Sequence, residues 1–118
     1  MTRPFDLKVS HRRDGDVVTV APEGDIDLAT ADVLRDELDA ARRGAHTLLL
    51  DLRGVGFMDS SGMRLLVEVE LRAAQDGFTL FVVRGPEPVQ RLLELTGLAE
   101  RLELVDDPSD VVAGGGGA

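Results

Sequence analysis

The 118-residue chain has no cysteine, no tryptophan and no tyrosine, and its only lysine is Lys8. Absence of cysteine excludes disulfides, thiolate nucleophiles and cysteine-ligated metal sites, and is compatible with a reducing cytoplasm. With aromatics at 3%, a core has to be assembled from Leu, Val, Ile and Ala, a mixture suited to helices packed on a buried sheet. No apolar run approaches the ~18 residues that a membrane span needs. The start, Met1-Thr2-Arg3-Pro4-Phe5-Asp6, lacks the apolar centre of a signal segment, so the expected location is cytoplasmic and no membrane contact is expected. Basic patches are also missing. In a chain of net charge -9, no basic cluster exceeds Arg12-Arg13 or Arg42-Arg43, which argues against direct DNA binding and favours a basic protein partner. His11 and His46 stand apart, so neither a metal site nor a cofactor is expected.

What is present is an alternation of strand-like and helix-like segments. Phe5–Val9 and Val17–Ala21 each alternate with a period of two around the turn Asp14-Gly15-Asp16, and Pro22-Glu23-Gly24-Asp25 breaks the second run. Thr30 to Arg43 predicts a helix, with Thr30 as N-cap, an apolar stripe of Val33, Leu34, Leu38 and Ala41, and Gly44 as the stop. Thr47–Leu52 reads as a strand buried on both faces. A loop follows. Ser61 to Gln75 reads as a second helix whose only polar row is Arg64, Glu68, Arg72 and Gln75, expected to be a solvated face. Phe78–Val83 is another buried strand, Pro86 to Thr96 a short helix and Leu102–Val105 a weak final strand. The expectation is an α/β single domain over residues 1–107, a mostly parallel mixed β-sheet of about five strands with helices packed on it. Residues 108–118, ending in four glycines and an alanine, read as a flexible tail with no core to bury.

The chemistry concentrates at Val55-Gly56-Phe57-Met58-Asp59-Ser60-Ser61-Gly62-Met63, where a strand and loop lead into the second helix. Unpaired amides at a helix start carry partial positive charge and stabilise a phosphate placed there. Asp59, Ser60 and Ser61 are also the residue types that cap helices, and a capping hydroxyl can serve as a phosphoacceptor too. Gly62 reads as a point of close approach for another molecule. Met63 and Val67 share the helical face of Ser60. Asp25 and Asp27 fall between the second strand and the first helix, where turn formation and capping compete with shaping a partner site.

The stretch Phe57-Met58-Asp59-Ser60-Ser61-Gly62 resembles the signature of anti-sigma factor antagonists, which carry the STAS domain shared with sulfate-transporter tails. The likeness extends to Glu23-Gly24-Asp25-Ile26-Asp27, Leu50-Asp51-Leu52 and Val89 to Leu98, in the same order and at the same spacing. The resemblance implies that Ser60, directly after the aspartate, is the phosphorylated serine. It also implies an anti-sigma factor with serine kinase activity as partner, whose release of a sigma factor ends when Ser60 is phosphorylated. A serine phosphatase would restore the binding form. Asp25, Asp27, Asp59, Ser60, Ser61, Gly62, Met63 and Val67 are the expected partner-binding residues, and no catalytic residue is expected.

Two enzymatic or phosphoryl-carrying rivals fit less well. A module phosphorylated on Asp25, Asp27 or Asp51 would want a late lysine, and Lys8 lies in the first strand. A serine hydrolase would want Gly-x-Ser-x-Gly and a histidine after the serine, and neither is present. A third alternative stays within the resemblance: a STAS scaffold module in another signalling or lipid-transport complex.

Overall fold

A computed structural model describes residues 7–111. The chain runs β1 (Lys8–Asp14), β2 (Val17–Ile26), α1 (Ala31–Arg42), β3 (Thr47–Asp51), β4 (Val55–Met58), α2 (Ser60–Asp76), β5 (Thr79–Val83), α3 (Glu87–Leu95), a 3-10 turn (Leu98–Glu100) and β6 (Leu104–Val105). Together the strands form a six-stranded sheet of order β1-β2-β3-β5-β6, with β4 attached to β2. Only the β1–β2 hairpin is antiparallel; β2–β3, β2–β4, β3–β5 and β5–β6 are parallel. Each parallel pair needs a crossover, and the helices supply most of them. The α/β class and the mixed, mostly parallel sheet agree with the expectation, with one strand more.

The sixth strand is β4, which sequence reading takes as loop. It is only four residues long and contains Gly56, so periodicity carries little signal there. It exists because β2 is longer than expected. Pro22 and Gly24 do not end β2 but mark where it changes partner. Val17–Val20 pair with β3, and after a register shift at Gly24 the residues up to Ile26 pair with β4. Gly54 permits this approach, since a Cβ there would lie 2.9 Å from Glu23 Cγ and 3.1 Å from the Pro22 carbonyl. At the other edge, the hairpin turns at Gly15 (φ 61°), so β1 continues through the charged run to Asp14. Phe5 and Asp6, read as the start of that strand, lie outside the described residues.

Even-numbered residues of the central strands, Val18, Val20, Leu48, Leu50, Leu80 and Val82, face α1, α2 and α3 in one aliphatic core. From α1 the core takes Ala31, Leu34, Leu38 and Ala41. Val33, expected in that stripe, is half exposed because it lies about 100° from Leu34 around the helix. The polar row of α2 is not merely solvated. Arg35 of α1 pairs with Glu68 (2.6 Å), Asp39 with Arg72 (2.5 Å) and Arg42 with Asp76 (3.2 Å), a ladder of ion pairs between the two helices. Bonds to Glu68 and Asp32 hold the Arg35 guanidinium above its usual pKa, so it stays charged.

The opposite face of the sheet carries a smaller cluster of Val17, Leu49, Val83 and Val111. Val111 corrects the reading of a core-free tail from residue 108: it is 6% exposed, so at least residues 108–111 belong to the folded domain. Residues 112–118 lie outside the described ones. This last segment is fixed by Asp106 to Arg84 (2.9 Å) and Asp107 to Arg53 (3.7 Å), with Arg53 also paired to buried Asp51 (2.9 Å). The hydroxyl and amide of Ser109 hold the Asp107 carboxyl below the usual carboxylate range. Val111→Ala is expected to lower stability by about 1–2 kcal/mol in urea unfolding. An unchanged midpoint would return this segment to the tail.

Candidate functional site

The site is built where two neighbouring parallel strands end together. Ile26 at the end of β2 pairs with Met58 at the end of β4, and the Asp59 amide donates to the Ile26 carbonyl (3.1 Å). Each strand is followed at once by an aspartate whose carboxylate accepts backbone amides, and that of Asp59 caps a helix. Asp59 takes an extended backbone, and its Oδ1 accepts from the Ser61 amide (2.8 Å), so α2 begins at Ser60. On the adjacent strand, Asp27 Oδ1 accepts from the amides of Ala29 (2.9 Å) and Thr30 (3.1 Å). The open question of which residue caps α2 is thereby answered: Asp59 caps, and the serines do not.

Thr30 also departs from its expected role. Its side chain makes no cap bond to α1; the hydroxyl donates to the Asp25 carbonyl (2.8 Å) and accepts from the Asp27 amide (2.9 Å). These bonds tie the end of β2 to the start of α1. Asp25 lies within β2, opposite Phe57, rather than in a loop. Asp27 takes the turn-forming role: its carboxylate and carbonyl accept the amides of residues 29–31 just ahead of α1.

Ser60 is the first residue of α2 and is exposed, whereas Ser61 is half-buried with its amide engaged by the cap. A hydroxyl on the first helical turn is accessible to another protein, and a phosphate there would meet first-turn amides not used by Asp59. Gly62 is not a surface for a partner. It is buried, and a Cβ there would collide with Met58 Cγ and lie 3.0 Å from Ile26 Cγ2. The close approach that this glycine permits is that of α2 onto its own strand ends. Met63 and Val67 are half-buried and pack against the core, while lining a groove of about 210 Å³ with Arg64, Thr96, Leu98 and Arg101. Of the expected partner-binding set, then, Ser60 and the rims of Met63 and Val67 face outward, with Asp25, Asp27, Asp59 and Ser61 half-buried around them.

Two residues that the sequence reading did not single out as candidates belong to this end of the molecule. Leu28, just after Asp27, is 80% exposed, and Phe57, just before Met58, is 52% exposed. Their signal in the sequence is an apolar side chain beside a cap, at a position where no helical or strand periodicity demands one. A separate cavity of about 560 Å³ lies on the face of the sheet away from the helices, between β1 and residues 107–109. It does not adjoin these strand ends. Among the described residues, no helix is long and apolar enough to cross a membrane.

A family model described as "Mlab, STAS domain" matches residues 9–106. The chain belongs to the STAS domain family. It is 31% identical over 105 residues to an anti-sigma F factor antagonist of Paenibacillus polymyxa, covering 87% of this chain and 88% of that one. Its fold is similar to the crystal structure of an anti-sigma factor antagonist from Mycobacterium paratuberculosis (TM-score 0.80, 24% identity, 97% of each chain). It is also similar to the anti-sigma factor antagonist SpoIIAA, solved unphosphorylated (TM-score 0.78, 15% identity, 94% of this chain and 98% of that one) and phosphorylated (TM-score 0.69, 14% identity, 90% and 97%).

Two substitutions test the geometry. Asp59→Ala removes the α2 cap and is expected to lower stability by about 1 kcal/mol. Gly62→Ala should cost about 1–3 kcal/mol despite the better helix propensity of alanine, because Met58 and Ile26 are buried and have nowhere to move. Both are read from urea denaturation midpoints, and a stabilised Gly62→Ala chain would contradict the close packing described.

Proposed function

We propose that this chain is an anti-sigma factor antagonist whose unphosphorylated form binds a cognate anti-sigma factor and frees a sigma factor, with phosphorylation of Ser60 switching binding off. The observation that carries the reading is the exposed Ser60 directly after the capping Asp59, at the place where the sequence matches the signature of that class. The named relatives support it at the level of the family. In this reading the anti-sigma factor is an ATP-dependent serine kinase. The Ser60 hydroxyl oxygen forms a bond to the γ-phosphorus of ATP, the bond to ADP breaks and the hydroxyl proton is lost. A serine phosphatase hydrolyses the ester and restores the hydroxyl.

The physics of the switch is local. A phosphate adds about -1.5 to -2 charges and three acceptor oxygens at one point. Here that point directly follows Asp59, at the paired strand ends that also carry Asp27, Leu28 and Phe57. A partner surface fitted to a neutral hydroxyl and apolar neighbours would have to desolvate a dianion beside two like charges. A few kcal/mol of differential affinity moves a complex from mostly bound to mostly free. No change of fold is needed.

A second reading, a STAS scaffold module in another signalling or lipid-transport complex, is equally compatible with membership of the family. Affinity purification from cells separates the two, since recovery of membrane-transport subunits alone would sink the sigma-pathway reading.

Incubation with the cognate kinase and ATP is expected to place one phosphoryl group on Ser60, read by peptide mass spectrometry. Modification elsewhere with Ser60 untouched would refute the site. Ser60→Asp should weaken binding to the anti-sigma factor at least about tenfold, equivalent to about 1.4 kcal/mol, while Ser60→Ala binds and cannot be switched off. Isothermal titration calorimetry checks both.

A further inference from the structure

Ser60, Arg64, Glu68 and Arg72 follow one another at intervals of four along α2, which stacks them on one face with neighbouring side chains a turn apart. Farther along, the row is occupied: Glu68 pairs with Arg35, Arg72 with Asp39, and Asp76 with Arg42. The α1 residue four before Arg35 is Ala31, buried and uncharged, so α1 offers no carboxylate at the next rung. Asp32, in the same turn, is already paired with Arg35. Arg64 is exposed, and among the described residues it enters no ion pair. Its neighbour along the row toward the start of α2 is Ser60.

We infer that Arg64 is the intramolecular clamp for a phosphate on Ser60, its guanidinium pairing with the phosphoryl oxygens one helical turn away. The inference rests on Ser60 being the phosphoacceptor. The planar guanidinium fork matches phosphate oxygens two at a time, which a lysine does not. An acid four residues ahead of a base is also the favourable order on a helix. The surrounding carboxylates make such a cation useful. Asp59 lies beside Ser60, and Asp25 and Asp27 stand on the adjoining strand end. All three repel a dianion, and Arg64 offsets them.

The clamp has a second consequence. Arg64 shares the rim of the groove lined by Met63, Val67, Leu98 and Arg101. Arg101 is already paired with Glu70. Phosphorylation would therefore add negative charge at Ser60 and withdraw a free cation from the adjoining groove in one step.

The test uses the full chain with phosphoserine built in at position 60 during synthesis, so that no kinase is involved. The second ionisation of a phosphoserine falls near pH 6, and a neighbouring cation lowers it by favouring the dianion. Followed by phosphorus NMR, the midpoint is expected to rise by roughly 0.3–0.7 pH unit in the Arg64→Gln chain, with Arg64→Lys in between. Equal midpoints in the wild-type and Arg64→Gln chains would overturn the clamp, whatever a kinase does. Conversely, a kinase that ignores Ser60 would sink the phosphorylation reading without touching this comparison. Because Arg64 is exposed, the unmodified Arg64→Gln chain should keep the wild-type unfolding midpoint, which separates a clamp from a structural role.

Discussion

Ile26 and Met58 lie side by side because β2, after leaving β3, pairs with β4, and the bond from the Asp59 amide to the Ile26 carbonyl carries that pairing to its last residue. The candidate site depends on this short ladder. It brings two aspartates to the same edge: Asp59 caps α2, and Asp27 accepts the amides of the turn that leads to α1. It also sets the height at which α2 starts, and therefore where Ser60 emerges. Gly62 belongs to the same constraint, because α2 can rest on Ile26 and Met58 only if its first turn carries no side chain there. A residue that looks like an opening for a partner is thus a condition for the serine's position.

Once α2 is seated, charge keeps it aligned with α1. The three pairs Arg35–Glu68, Asp39–Arg72 and Arg42–Asp76 are partly exposed, and each singly contributes little. As a row they favour one register of the two helices over its neighbours, since a shift by one turn would bring Glu68 opposite Asp39. Most of the stability comes instead from the aliphatic residues beneath, Leu34, Leu38, Leu65, Leu66 and Val69. A helix held in this way is a rigid platform for a modification at its first residue.

The long elements were legible because burial imposes a period on them. Helices α1, α2 and α3 and the strands β3 and β5 fall where apolar spacing and their stop signals place them, within a few residues. The differences fall on segments that are short, two-sided or exposed, the last being β1, whose charged run to Asp14 has no apolar alternation to mark it. β4 carries no pattern in four residues with a glycine, and the sequence ends β2 too early because Pro22 and Gly24 signal a break in general but here signal a change of partner. Val111 reads as tail because an isolated apolar segment before a glycine run has no periodicity, although it packs with Val17, Leu49 and Val83. At the candidate site, a serine at the start of α2 is legible from the order Asp-Ser-Ser-Gly before a helical pattern, and only the family resemblance singles out Ser60. The division of labour among Asp59, Ser61 and Gly62 was not, since capping and packing are decided by backbone geometry that the residue types share.

The two unassigned apolar residues clarify why a single charge suffices for the proposed switch. Leu28 and Phe57 are exposed, Leu28 directly after Asp27 and Phe57 two residues before the capping Asp59. Exposed apolar area of this kind contributes to binding only when water is excluded from it. Water exclusion is also the condition under which an added dianion is most costly, because it loses hydration and meets Asp59 and Asp27 at reduced screening. The same apolar surround that would strengthen the complex with a neutral serine therefore amplifies the penalty on its phosphorylated form. Affinity and sensitivity to the switch rise together, so neither the fold nor the partner has to move for one group at Ser60 to control both.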